Sequence, residues 1–271
     1  MQKFFSKITS LQNPKIKDAV RLRDRKARDE MDRFLIEGYR ELKRAVDAGY
    51  KVETLFFCPG FFLGTNERAL IEKSGAEAIE CTEEVFAKIS YRDRPDGLLA
   101  VAPEMHRTLS DLKVLLASLK NPFLVIAESI EKPGNLGTIL RSADAAGVDA
   151  VIVCDPTTDI HNPNVVRSSV GTLFTVPVFE LGGEEVFVLL KEHQISIVAA
   201  TPSAKIEFTE ADFKTSVAIA VGTEQYGLTD AWMKRAEVQV RIPMLGIADS
   251  LNVASATTLV LYEVVRQRKL S

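Results

Sequence analysis

Three short stretches hold most of the side chains in this 271-residue chain that are equipped for chemistry. Glu128–Gly147 reads ESIEKPGNLGTILRSADAAG, Val221–Leu228 reads VGTEQYGL, and Ile242–Asn252 reads IPMLGIADSLN. All three are rich in Gly, Asn and charged residues. The first lacks the G-x-x-x-x-G-K-[ST] phosphate loop, and its Gly134 and Gly137 do not make G-x-G-x-x-G, so a standard nucleotide cradle is excluded. No G-x-S-x-G elbow occurs and no His lies in any of the three, which leaves nucleophilic triads unsupported. Cys58, Cys81 and Cys154, like His106, His161 and His193, are too scattered for a disulfide framework or a zinc site, so no metal is expected. What remains is a set of amides and carboxylates around Arg141, whose planar guanidinium suits a phosphate. An ion pair with Asp144, three residues on, is the ordinary use for the same side chain.

These stretches sit where an α/β fold would place ligands. Apolar segments at 123–128, 150–154, 174–179, 195–200, 217–222 and 238–242 read as strands. Helical patterns fill most gaps and a long helix closes the chain at about 251–268. Such alternation argues a mostly parallel sheet covered on both faces. Ligands bind beyond the carboxyl ends of such strands, which is where the three stretches fall.

The N-terminal part reads as a separate small α/β unit. Asn13-Pro14 opens a charged helix running to about Arg33; strands follow at 34–36, 52–58, 78–81 and 98–102, with helices at 39–48, 66–74 and 83–89 between them. The polar stretch 103–110 is the linker candidate, giving domains at 1–105 and 112–271. Net charge is −3, yet residues 1–44 carry thirteen Lys and Arg against seven Asp and Glu. Lys15, Lys17, Arg21, Arg23 and Arg25 lie in this excess and offer a basic face to an anionic polymer, although interleaved acids also fit a plain solvated helix. No apolar run is long enough to span a bilayer and the N-terminus has no apolar leader, so the expectation is a cytoplasmic protein.

Together the three stretches resemble the motifs of the SpoU (TrmH-type) family of RNA ribose 2′-O-methyltransferases, in the SPOUT superfamily. PGNLGTILRSADAAG matches the first motif, GTEQYGL the second, and IPMLGIADSLNV the third, in the family's order. The family often has Ser-Val where this chain has Ala254-Ser255. The N-terminal part is similar to the L30e-like RNA-binding domain that many members carry. The resemblance implies an α/β fold with a deep trefoil knot in the C-terminal domain, a homodimer, and S-adenosylmethionine as cofactor. It implies RNA as the partner, rRNA of the 23S type rather than tRNA.

Residue by residue, the resemblance assigns catalysis to Arg141, Asn135, Glu224, Ser250 and Asn252, and cofactor contact to Thr201, Gly222, Ile242, Met244 and Leu251. Arg141 would act as a base or only steady developing oxyanion charge; the sequence leaves both open. Gly222, lacking a Cβ, would let the cofactor approach the backbone, or is a turn glycine. Asn252 also suits a helix N-cap. A non-catalytic RNA- or ribosome-binding protein that retains the fold is the alternative reading.

Overall fold

The computed structural model describes residues 5–269, which form two compact units. The first takes the chain up to Met105 together with His161–Thr175; the second takes His106–Ile160 and Val176 onward.

In the first unit the chain runs β1 (Ser6–Ile8), α1 (Pro14–Arg21), α2 (Arg25–Met31), β2 (Arg33–Glu37), α3 (Tyr39–Asp47), β3 (Thr54–Phe57), α4 (Glu67–Ser74), β4 (Glu77–Cys81), α5 (Glu83–Ile89) and β5 (Leu98–Pro103). The strands form one mixed sheet in the order β1-β4-β3-β5-β2. Asn13 caps α1 by accepting the Lys15 N–H at 3.0 Å, with Pro14 in the first turn. The single helix expected over 14–33 is in fact two. At ~100° per residue, Arg28 on a continuous helix would point directly away from the buried Ala19. The break after Arg21 brings Arg28 inside, 1% exposed, where its Nη1 donates to the Leu22 and Arg23 carbonyls at 3.0 and 2.8 Å.

The excursion His161–Thr175 completes this unit. It carries a short helix, α8 (Pro163–Ser168), packed against β2, and a 3₁₀ turn at Thr172–Phe174. Phe34 of β2 is fully buried, its ring 4.7 Å from the His161 imidazole and stacked at 6.2 Å on Phe174. His161 Nε2 accepts the Met105 N–H at 2.9 Å.

The second unit contains α6 (Leu109–Ser118), β6 (Phe123–Glu128), α7 (Pro133–Ala146), β7 (Ala150–Cys154), β8 (Val178–Leu181), α9 (Gly183–Glu192), β9 (Ser196–Ala200), β10 (Ile206–Glu207), β11 (Val217–Val221), α10 (Asp230–Arg235), β12 (Val238–Arg241) and α11 (Val253–Lys269). Its seven strands pair in the order β10-β12-β9-β11-β6-β7-β8, every pair parallel. The strand expected at 174–179 begins only at Val178, because Thr172–Phe174 turns within the first unit. The two-residue β10 had no signal in the sequence. β6, β7 and β11 are buried along their whole length, as a sheet covered on both faces requires. Trp232 of α10 and Phe187 of α9 pack with ring centres 4.0 Å apart in this core. No helix among the described residues is long and apolar enough to cross a membrane.

The order of strands fixes where ligands can go. β6, β7 and β8 run outward to one edge; β9 is then laid beyond the place that β11 later fills, between β9 and β6. The loops after β6, β9, β11 and β12 therefore leave the carboxyl edge around the point where strand order reverses.

Candidate active site

The loop after β11 is a tight hairpin. Thr223 and Gly227 exchange backbone hydrogen bonds, both 3.0 Å, and Thr223 Oγ1 accepts the Tyr226 N–H at 2.9 Å. Glu224 stands on its tip. A Cβ on Gly222 would run into the Gly227 carbonyl and the Leu228 amide, so glycine is required there by the hairpin folding back on itself. The turn reading of Gly222 is thus sufficient. The hairpin's far end is anchored by Glu128, buried at the end of β6, which accepts from the Thr229 N–H at 2.8 Å and its hydroxyl at 2.7 Å.

Glu224 joins the three stretches. Its Oε1 accepts from Asn135 Nδ2 at 2.9 Å and from Asn252 Nδ2 at 2.6 Å, and its Oε2 is ion-paired with Lys132. Asn252 Nδ2 also donates to Asn135 Oδ1 at 3.1 Å. At the same time Asn252 Oδ1 accepts the Ala254 and Ser255 N–H groups at 3.1 and 3.3 Å, capping α11. One asparagine therefore serves both the helix and the network. The Lys132 ammonium, then the Asn135 amide, hold the Glu224 carboxyl below the usual carboxylate range. Lys132 was not singled out in the sequence; its only signal was its place beside Pro133-Gly134-Asn135.

Arg141 lies on α7, exposed, and makes no hydrogen bond or ion pair among the described residues. The ion pair with Asp144 does not form, so the guanidinium is available to an anion. Ser250 is exposed and stands outside the Glu224 network.

Beside the network opens a cavity of about 350 Å³. Thr201, Gly222, Ile242, Met244 and Leu251 all line it, with Glu224, Asp249 and Ser250. Its walls are Ala200, Val221, Val240, Ile242 and Leu251, an apolar slot for a flat ring. Among the described residues the backbone N–H groups of Met244, Asp249 and Ser250 donate no hydrogen bond, so the slot has spare donors at its edge. Small-molecule sites combine an apolar lining with a few such polar groups, in volumes of ~300–1,000 Å³. The donor set, with two carboxylates nearby, suits a ligand joining an aromatic base to a cation.

The basic residues near the N-terminus are differently disposed. Lys15 pairs with Glu77 at 2.5 Å, Arg21 with Glu30 at 3.4 Å, and Arg25 approaches Asp29 at 3.9 Å. Arg23 turns inward, donating to the carbonyls of Lys88 and Ser90 at 2.8 and 2.6 Å. Lys17 is exposed.

A parallel α/β sheet with a polar network and an apolar slot over its reversal point is a cofactor-dependent transferase architecture. Residues 122–262 match the SpoU rRNA Methylase family, and the chain belongs to it. Residues 13–100 match the MRM3-like substrate binding domain. A 23S rRNA (uridine(2479)-2′-O)-methyltransferase of Streptomyces viridochromogenes is 31% identical over 91% of this chain and 87% of its own. The crystal structure of an RNA 2′-O ribose methyltransferase superposes with a TM-score of 0.83 at 43% identity, covering 97% of this chain and 99% of that one. The SpoU methyltransferase AviRb, solved in complex with AdoMet, gives a TM-score of 0.85 at 29% identity over 95% and 99%.

Proposed function

We propose that this chain transfers a methyl group from S-adenosylmethionine to a ribose 2′-hydroxyl of rRNA, of the 23S type. The observation that carries the reading is the Glu224 network, which ties Asn135, Asn252 and Lys132 together beside the cavity. Thr201, Ile242, Met244 and Leu251 would hold the cofactor, with Gly222 shaping the loop above it. When bound, S-adenosylmethionine supplies an electrophilic methyl on a sulfonium.

The ribose oxygen must lose its proton as it attacks. A guanidinium stays protonated far above neutral pH, so Arg141 serves by holding the growing charge on that oxygen and the adjacent phosphate, while the proton leaves to solvent. Asn135 and Asn252 position the ribose; Glu224 orders both amides; Ser250 borders the cavity from the third stretch.

The same reading places RNA recognition in residues 1–105 and transfer in 112–271, with Lys15, Lys17, Arg21, Arg23 and Arg25 contributing to the basic surface. It makes the protein a cytoplasmic homodimer, supported by the exposed Tyr226, Leu245 and Ile247 around the site loops. It gives the C-terminal domain a trefoil knot, supported by the late insertion of β11 between β9 and β6. The test is methyl transfer from labelled S-adenosylmethionine to unmodified total RNA, followed by digestion to nucleosides. A 2′-O-methylnucleoside in the large-rRNA fraction is the expected product. Label on a base would remove Arg141's role, and absence of both label and cofactor binding would favour a non-catalytic RNA-binding protein.

A further inference from the structure

The first unit holds a cavity of about 540 Å³ that the transfer reaction does not use. Its residues come from α3, the loop before α4, the turn before β5, and the excursion His161–Thr175. Two of its acids are buried with one oxygen each lacking a partner: Glu67, 4% exposed, at Oε2, and Asp96, 9% exposed, at Oδ1. The other oxygens are engaged, Glu67 Oε1 by the Gly64 N–H at 2.7 Å and Asp96 Oδ2 by the Tyr39 N–H at 2.9 Å. Arg92 is locked by the Glu37 carbonyl at 2.7 Å and by Glu41 at 2.8 Å, which leaves its Nε without an acceptor. Buried polar atoms call for partners. The cavity thus has two acceptors and one donor to offer.

The rim has the opposite character. Arg40 and Arg167 are exposed and, among the described residues, make no ion pair or hydrogen bond. Leu63 stands beside them, 84% exposed. A single divalent ion does not fit, since Glu41, Glu67 and Asp96 are not among the acids whose oxygens gather within 4.8 Å. An unstacked nucleotide does: its phosphate on the two arginines, its ring against Leu63, its edge facing the floor.

From these observations we infer that this cavity is a recognition pocket for an unpaired guanine nucleotide of the RNA substrate. Guanine offers two adjacent donors, N1–H and the N2 amino group, to carboxylate oxygens, and an O6 acceptor to Arg92 Nε. Adenine and cytosine each bring one amino donor, and uracil brings a single imino donor. The inference rests on the RNA-directed function proposed above, and it places base selection in a unit separate from the cavity of the transfer site.

The test is titration of the full chain with GMP, IMP, AMP, CMP, UMP, inorganic phosphate and L-arginine. GMP is expected to bind at least about tenfold more tightly than IMP, which lacks only the N2 amino group, and than the other nucleotides. Glu67→Gln and Asp96→Asn are each expected to abolish that preference. Arg167→Ala, on the surface and safe for folding, is expected to weaken GMP but not guanosine. Equal binding of all nucleotides, a response to phosphate alone, or displacement by L-arginine would each overturn the inference. Methyl transfer to RNA is read separately on the same preparation. Selective GMP binding without transfer would remove the activity and keep the pocket; transfer without selective binding would do the reverse.

Discussion

Glu224 is where three distant stretches meet, and its protonation state should govern the site. Its carboxyl is held low first by Lys132, so the network is intact above the ordinary carboxyl value of 4.5 and is lost as pH falls through the depressed one. Lys132→Met is expected to move the acid limb of the kcat/KM profile upward, toward that ordinary value; an unmoved limb would show that Lys132 does not tune the site. Arg141→Ala is expected to lower kcat by ~10²–10³-fold while changing S-adenosylmethionine affinity little, as for loss of a transition-state donor. Parallel loss of cofactor binding would reassign it. Asn135, Glu224 and Asn252 were legible in the sequence because their motifs carry them in order. Lys132 was not, since nothing local to residue 132 reveals a partner on the hairpin after β11. Nor was the reason for Gly222 legible: its conflict is with Gly227 and Leu228, a crowding that only the closed hairpin creates.

At the scale of elements, composition spoke well for strands and poorly for the basic N-terminal helix. The buried runs of β6, β7 and β11 gave themselves away by being apolar throughout. The charged stretch 14–33 did not reveal its break, because the cause is one arginine that folds inward. Arg28→Met is expected to cost ~3–5 kcal/mol if removing the buried cation strands the Leu22 and Arg23 carbonyls, measured by denaturant unfolding; a loss under ~1 kcal/mol would mean the carbonyls find other donors. The same geometry sorts the basic residues. Arg23 is committed to the Lys88 and Ser90 carbonyls, whereas Lys17, Arg21 and Arg25 stand exposed. Charge reversal at those three is expected to weaken RNA binding and flatten its dependence on salt, without lowering thermal stability. An unchanged slope would make this face ordinary solvated surface.

For the whole molecule, the two units read in the sequence are present, but the chain does not pass between them once. It leaves the first unit after Met105, returns at His161 and leaves again after Thr175. Nothing in the residues 161–175 announces this, because their apolar positions suit either unit. A fragment ending at Met105 is therefore expected to unfold at lower denaturant concentration than the same unit in the full chain, with Phe34 deprived of His161 and Phe174. Equal midpoints would show that the excursion adds no stability. That excursion also sets a timetable for synthesis. The N-terminal unit cannot finish its core when its own sheet has left the ribosome; it must wait until residue 175 is made, when β6 and β7 are already out. Its basic surface and guanine-sized pocket, the latter needing Arg167, would then mature only as the second unit begins to assemble, so that a half-made chain holds no completed grip on RNA.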